Sequence, residues 1–162
     1  MNKQIKYTLS DAFSILLNSC GSMTKELESI GNKFSVEILK CELVNDIYYR
    51  HVLLKLNSIA VVIATSKCSI HNQYLYSLLY NANTQPIGKF IFAENSNINR
   101  AKIKITEILA TEANSPIITT ELQKNYANAQ QFWQRISKFT YQEETLILEE
   151  IILPEVGQFL NQ

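Results

Sequence analysis

The chain is poor in several residue types, and each shortage excludes a class of protein. It has four glycines, three prolines and three cysteines in 162 residues. No G-x-G-x-x-G, P-loop or G-x-S-x-G motif occurs, so dinucleotide-binding, nucleotide-binding and serine-hydrolase functions lack their usual sequence support. Cys20, Cys41 and Cys68 lie far apart without metal-ligand spacing. We therefore expect reduced thiols rather than disulfides or a zinc site.

Long apolar runs and an excess of charge of either sign are also absent. No run of about 18 apolar residues exists and the first residues lack the apolar segment of a signal peptide, which predicts a soluble, intracellular protein without a membrane span. Fifteen basic residues balance fifteen acidic ones, with a pI near 6.7. This balance argues against nucleic acid or an anionic membrane as a partner. The content of 46% hydrophobic and 19% charged residues predicts one globular domain over 1–162.

Hydrophobic periodicity predicts helices, three strands, a helix and three more strands, in that order. The predicted helices cover 12–20, 23–30 and 69–82, and the predicted strands cover 33–41, 47–56, 59–67, 101–109, 133–141 and 146–153. Residues 111–128 are expected to form a loop with a short helix. The order favours an α+β fold, in which helices cover one face of a single six-stranded antiparallel sheet. It is compatible with two copies of a helix-plus-three-strand unit.

The last predicted strand contains two adjacent carboxylates in the apolar run TLILEEIILPE. Successive side chains of a strand leave opposite faces of the sheet. One of Glu149 and Glu150 can therefore reach solvent, while the other must enter the core. Alternation alone does not say which one does.

Arg50 is the second unusual core residue. Arginine occurs only at positions 50, 100 and 135 in a chain that otherwise uses lysine, and Arg50 shares a predicted strand face with Tyr48 and Val52. A guanidinium on an apolar face needs acceptors, because burying an unpaired charge in a protein costs on the order of several kcal/mol. Glu150 can be that acceptor. A structural ion pair between two strands and a ligand-binding pair both fit the pattern.

Five short motifs together resemble a known family. They are GSMTKELESIG at 21–31, YYR at 48–50, QPIGKFIF at 85–92, FWQR at 132–135 and EIILP at 150–154. In this order and spacing they resemble the successive signatures of the chorismate lyase family, the chorismate pyruvate-lyases that make 4-hydroxybenzoate. The polar stretch before Trp133 and the richness in Ile, Asn, Lys and Tyr resemble its cyanobacterial and plastid branch.

The resemblance implies an enzyme that eliminates pyruvate from chorismate, without a metal or organic cofactor, for quinone head-group biosynthesis. It implies that Arg50 holds the ring carboxylate and that Glu150 hydrogen-bonds the 4-hydroxyl and assists proton transfer. It also implies that the backbone at Met23 and Ile87 contacts the product. Glu149 then becomes the outward neighbour, which we expect to be solvated. The expected location is a plastid stroma or a bacterial cytoplasm, and the expected state is a monomer.

One departure from the family leaves the second carboxylate of chorismate without an obvious partner. Bacterial members often carry an arginine on the third strand, where this chain has Thr65 or Ser66. Lys67 and Arg135 are the candidates for that role. The alternative function is a non-catalytic protein that binds a small aromatic acid, since the same fold occurs as the effector domain of transcription regulators. A protein in which Arg50 and Glu150 merely pair is the third option.

Overall fold

The computed structural model describes residues 11–31 and 33–160. The start of the chain, where the sequence predicts no signal peptide, lies outside the described residues. The helices are α1 (Asp11–Asn18), α2 (Met23–Ile30), α3 (Gln73–Tyr80), α4 (Gly88–Ile91), α5 (Pro116–Asn125) and α6 (Gly157–Leu160). The strands are β1 (Phe34–Val44), β2 (Ile47–Leu56), β3 (Ile59–Ser69), β4 (Asn99–Arg100), β5 (Lys104–Leu109), β6 (Gln131–Tyr141) and β7 (Glu144–Ile152). Within these ranges no helix combines the length and the hydropathy needed to cross a bilayer.

All seven strands form one antiparallel sheet in the order β1-β2-β3-β7-β6-β4, with β5 also paired to β6. The predicted α+β fold with a single antiparallel sheet is confirmed. One strand was expected over 101–109, and the structure has β4 and β5 in this region, which gives seven strands instead of six. Two meanders, β1–β3 and β5–β7, meet through β3 and β7. This layout is the one expected of a duplicated unit.

The main core lies between the sheet and five of the helices. Even-numbered residues of β2 and β7 and odd-numbered residues of β6 point to this face, and in β3 the even-numbered residues from Val62 onward do so, whereas the register shift before Val62 also places Val61 in this core. Buried side chains of the covering helices include Phe13, Leu27, Leu75, Ile91 and Phe159. Because each helix contributes only a narrow apolar stripe, the shared core must supply most of the stability of these short helices.

Helix α5 departs from the predicted arrangement because it packs on the other face of the sheet. Its buried residues Ile118 and Leu122 belong to a second core with Leu53, Ile63 and Ile151. The helix begins directly after a capping serine, whose side chain accepts a hydrogen bond from the backbone N–H of Ile117 at 3.3 Å. The central strands are therefore buried on both faces.

This second core explains why one prediction about the paired carboxylates is wrong. Glu149 was expected to be solvated, but it is only 8% exposed. Its Oε1 accepts hydrogen bonds from Lys67 Nζ at 3.2 Å and from Asn114 Nδ2 at 2.9 Å. Both partners lie on the α5 side of the sheet, so Glu149 is a paired structural residue.

Candidate functional site

The site is built on the face of the sheet that carries the main core. Arg50 on β2 lies opposite Ser66 on β3, while Glu150 on β7 lies opposite Ala64 on β3 and Arg135 on β6. Directly opposed residues of antiparallel strands project from the same face. Strand register therefore places Arg50, Glu150 and Arg135 together, although they are up to 100 residues apart in the chain.

A cavity of about 430 Å³, counted with its mouth, lies over this face. Its floor includes Arg50 and Glu150, and its roof includes Met23 at the start of α2 and Ile87 just before α4. The structure thus brings all four sequence-predicted site residues to one cavity. Their roles in binding or catalysis stay predictions.

Arg50 is 2% exposed and points into the cavity wall below the segment that leads to α4. Its Nη2 donates hydrogen bonds to the backbone carbonyls of Asn83 at 2.8 Å and Gln85 at 2.7 Å. Its buried Nε has no hydrogen-bond partner among the described residues. Arg50 therefore holds the segment before Ile87, while its Nε–H remains available to another acceptor.

Glu150 is 3% exposed and does not pair with Arg50. In the described part of the chain its ion-pair partner is Arg135, whose Nε lies 3.5 Å from Oε2 of the carboxylate. Burial raises the pKa of Glu150 above its ordinary value, and the nearby charges of Arg135 and Arg100 only partly oppose this rise. The carboxyl group at the floor of the cavity is therefore easier to protonate than an ordinary glutamate.

Arg135 lies behind Glu150 and does not line the cavity. Its side chain is fully buried, and Nη1 and Nη2 donate to the carbonyls of Leu16 at 2.9 Å and Ser19 at 3.0 Å. These carbonyls lie at the carboxyl end of α1, where the last carbonyls of a helix lack partners within it. Arg135 therefore joins the end of α1 to the Glu150 carboxylate.

Arg100 on β4 also lines the cavity, and sequence analysis assigned it no role. Its guanidinium donates to Ser137 Oγ from Nε at 3.3 Å and Nη2 at 2.7 Å, and to the carbonyls of Cys20 at 2.8 Å and Gly21 at 3.1 Å from Nη1. The rarity of arginine was the available signal, because all three arginines of the chain converge on this site. Periodicity could not reveal this, since β4 has only two residues.

Two residues proposed as partners for a second ligand carboxylate do not fill that role. Lys67 projects from the opposite face, where it pairs with Glu149, and Arg135 is committed to Glu150 and α1. At the third-strand position, Thr65 also faces away, with its Oγ1 2.9 Å from His51 Nδ1. Of Thr65 and Ser66, Ser66 is the one that lines the cavity.

The roof of the cavity supplies backbone donors. Met23 and Thr24 are the first two residues of α2 and both line the cavity, and the first N–H groups of a helix have no acceptor within it. Such groups, together with the positive end of the helix dipole, favour a carboxylate. No group of three or more His, Cys, Asp or Glu side chains able to hold a metal occurs among residues 11–31 and 33–160.

The cavity therefore combines two guanidinium groups, a carboxyl group with a raised pKa and apolar walls that include Val52, Leu148 and Phe92. The apolar walls suit a flat ring, and the guanidinium groups suit carboxylates attached to that ring. A carboxyl group that is readily protonated can donate a hydrogen bond to a hydroxyl or ether oxygen.

Comparisons with known proteins agree with this chemistry. The family model for chorismate pyruvate-lyase Rv2949c-like proteins matches residues 24–160. A curated relative from Shewanella loihica, described as a probable chorismate pyruvate-lyase, is 25% identical over 175 residues, covering 98% of this chain and 88% of the relative. The family match includes every cavity-lining residue named above except Met23, and it does not extend to Cys20 and Gly21, whose carbonyls bind Arg100.

Solved structures that share the fold include an effector domain and a ligand-binding domain. The effector domain of PhnF from Mycobacterium smegmatis has a TM-score of 0.58 and 8% identity, covering 83% of this chain and 89% of that domain. The ligand-binding domain of a putative GntR-family transcriptional regulator from Bordetella bronchiseptica has a TM-score of 0.51 and 16% identity, covering 76% and 84%. At such identities the likeness concerns the fold alone.

Proposed function

The chain belongs to the chorismate pyruvate-lyase Rv2949c-like family, and from this premise we propose that it eliminates pyruvate from chorismate to give 4-hydroxybenzoate. The observation that carries the proposal is the placement of Arg50 and Glu150 on one cavity without an ion pair between them. Arg50 leaves its buried Nε without a hydrogen-bond partner in the described chain, and Glu150 pairs with Arg135 behind it, so neither residue has the other as its structural partner.

Arg50 is proposed to bind the ring carboxylate. Its Nη2 is anchored by two backbone carbonyls, so the guanidinium plane is fixed before the ligand enters, and a fixed fork of donors loses little freedom when it binds a carboxylate. The N–H groups at Met23 and the adjoining roof residues complete the binding of the anionic ring. Positioning of this kind is a large part of what such a reaction needs from a protein.

The reaction breaks the bond between the ring C3 and the ether oxygen and removes the hydrogen on C4. The electrons of the C4–H bond complete the aromatic ring, and the departing enolpyruvate takes up a proton at its methylene carbon to become pyruvate. Formation of the aromatic ring drives the step. The protein therefore has to orient the substrate and stabilise the oxygen that leaves.

Glu150 is proposed to hydrogen-bond the 4-hydroxyl and to assist proton transfer while the ether bond breaks. Its raised pKa increases the protonated fraction near neutral pH, and the protonated carboxyl can donate to an oxygen. Arg135 holds the carboxylate from behind at 3.5 Å. The carboxyl is therefore oriented by a residue that makes no contact with the cavity.

The proposal is tested by incubating the purified protein with chorismate and quantifying 4-hydroxybenzoate and pyruvate by chromatography. We expect equal amounts of both products, formed faster than in heat-denatured protein and in buffer alone. Rates that match these controls would falsify the enzymatic function. Tight binding of 4-hydroxybenzoate without turnover would instead support the second candidate, a sensor of aromatic acids, which the shared fold with regulator effector domains favours.

The use of the product as a quinone head-group precursor, and a plastid or cyanobacterial setting, are parts of the same proposal. They depend on composition and on the family's biology rather than on site geometry. Restoration of quinone synthesis in a bacterial strain that lacks chorismate lyase, by expression of this chain, tests the pathway. Failure of an expressed and active protein to restore it would remove this part of the proposal.

A further inference from the structure

We infer that Arg100 binds the second carboxylate of the substrate and restricts the site to ligands with two carboxylates. The inference rests on the proposed function, because it concerns the same cavity. It assigns the partner that strand β3 does not provide, since Ser66 and Ala64 are the β3 residues that line the cavity.

The hydrogen bonds of Arg100 hold its guanidinium in place without neutralising its charge. An arginine has five N–H donors, and four hydrogen bonds from Arg100 go to Ser137 Oγ and to the carbonyls of Cys20 and Gly21. All of these acceptors are neutral. One N–H on Nη2 has no partner among the described residues, and no ion pair involves Arg100 in that part of the chain. The group is therefore fixed and still able to bind an anion.

Two phenylalanine rings lie under the guanidinium of Arg100 and help to fix its position in the cavity. The guanidinium carbon lies 5.5 Å from the centre of the Phe92 ring and 5.3 Å from that of Phe139, and both rings attract a cation through their faces. Burial, followed by repulsion from Arg135, lowers the pKa of Arg100. Such a destabilised cation gains from an anionic partner.

Arg100 and Arg50 approach the cavity from opposite sides. Arg50 stands on β2 and Arg100 on β4, with β3, β7 and β6 between them. Four steps of about 4.8 Å separate the axes of these strands by roughly 19 Å, and both side chains reach inward to line the same cavity. Glu150 lies on β7 between them. Two carboxylates at opposite ends of a ligand can therefore meet one arginine each.

The charge of the site matches a dianion. Arg50 and Arg100 line the cavity, and Arg135 behind it pairs with Glu150, so the cluster carries two net positive charges when Glu150 is ionised. A monocarboxylate leaves one of these charges without a partner. The two carboxylates of chorismate complete the balance, and loss of pyruvate removes one of them. Arg100 therefore has a carboxylate partner in the substrate but none in the product, and the product binds less tightly at this side of the site.

A matched pair of stable ligands tests the inference: 4-hydroxy-3-(carboxymethoxy)benzoate, which has two carboxylates, and 4-hydroxy-3-ethoxybenzoate, which has one. Dissociation constants are measured by calorimetry for the wild type, Arg100→Gln, Arg100→Lys and the control Lys102→Gln. Lys102 is an exposed cation two residues away that does not line the cavity. The Lys102→Gln substitution therefore removes one positive charge from the same segment without altering the cavity.

We expect the wild type to prefer the dicarboxylate by about 10- to 100-fold, the range of one charge-assisted hydrogen bond. Arg100→Gln should abolish this preference, Arg100→Lys should keep part of it, and Lys102→Gln should keep nearly all of it. The preference is the ratio of the two dissociation constants of one variant. A general loosening of the loop at Cys20 would change both constants alike, so it would not change their ratio. A preference that survives in Arg100→Gln, or an equal loss for both ligands, would overturn the inference and leave the proposed function intact. Failure of the wild type to bind the dicarboxylate would also overturn the inference, whereas the proposed function is decided separately by the turnover of chorismate.

Discussion

The carboxylate of Glu150 lies against Arg135, at 3.5 Å from Nε to Oε2, and not against Arg50. Arg135 and Arg50 therefore have different roles, which the sequence alone could not distinguish. Arg135 is a positioning residue that orients the carboxylate from behind, whereas Arg50 is left to contact a ligand. The first prediction follows from this difference.

Arg135→Met should destabilise the protein strongly, because it leaves the buried Glu150 without its cation and the carbonyls of Leu16 and Ser19 without a donor. Removing one partner of a buried pair costs about 3 to 5 kcal/mol in free energy of unfolding. Urea denaturation measures this loss. In the double variant Arg135→Met/Glu150→Gln part of the loss should be regained, since no carboxylate remains to be buried alone. Strict additivity of the two single losses would show that the pair is not coupled.

Glu150→Gln should reduce kcat for chorismate by roughly 100-fold or more, the usual scale for loss of an acid-base group. Glu149→Gln is the matched control, because it alters the adjacent carboxylate on the other face, where the side chain pairs with Lys67 and Asn114. We expect its kcat to stay close to that of the wild type. Steady-state kinetics of the two folded variants decide the matter. Similar losses in both would mean that the effect is structural.

The stability of the protein should depend on pH through Glu150. Its pKa in the folded state is raised from an ordinary value of 4.5 by burial, so the folded state binds this proton more tightly than the unfolded state does. The contribution is therefore fully present below about pH 4.5 and is lost as pH rises through the folded-state pKa. The Tm of Glu150→Gln minus that of the wild type should increase with pH across this window. A difference that is flat from pH 4 to pH 8 would contradict the raised pKa.

The sequence predicted the sheet well because its evidence is local. The strands β1, β2, β3, β6 and β7 were predicted from β-prone apolar runs bounded by turn residues, which are recognised from neighbouring residues alone. Helix α5 was harder to predict, because its two buried residues, Ile118 and Leu122, pack on a face that no other described α-helix covers. The solvated Glu149 was predicted on the assumption that this face met water. The error therefore came from a missing tertiary partner.

The candidate site was predictable where motifs carried it and not where pairing across the sheet decided it. Arg50 was noted as a guanidinium on an apolar strand face, the family resemblance selected Glu150 and added Met23 and Ile87, and all four line the cavity. Arg100 was missed, because a strand of two residues has no periodicity and its partners lie 37 to 80 residues away. The only sequence signal for Arg100 was the scarcity of arginine in the chain. Arg50 is the residue whose role next needs a direct measurement.

Arg50→Met should raise the Kd for 4-hydroxybenzoate by about 10- to 100-fold, because the carboxylate loses its charged donors. The wild type should also prefer 4-hydroxybenzoate to 4-hydroxybenzamide, which lacks the carboxylate charge, and the variant should lose this preference. Lys67→Met removes a cation from the neighbouring strand on the opposite face and should retain it. Calorimetry of the wild type and both variants with both ligands measures the six dissociation constants. A preference that persists without the guanidinium would assign the carboxylate to another group.

The last prediction concerns the mouth of the cavity, where α2 and α4 approach most closely. A Cβ at position 88 would lie 2.6 Å from Ser22 Oγ and 3.5 Å from Ser22 Cβ, and Ser22 is only 5% exposed. Gly88→Ala should therefore displace the Ser22 side chain or separate the two helix starts that form the roof. Displacement of positioning groups on the order of 1 Å has large effects on catalysis.

We expect Gly88→Ala to reduce kcat/KM for chorismate by about 10-fold or more, with a smaller change in Tm. Gly157→Ala is the matched control, since a Cβ there meets no atom within 4 Å and the residue has helical dihedral angles. It should keep its activity and gain about 0.4 to 1 kcal/mol of stability, because alanine restricts the unfolded chain. If Gly88→Ala also keeps full activity, the close contact between Ser22 and Gly88 is not needed for catalysis, and the roof tolerates movement of both loops while substrate is bound.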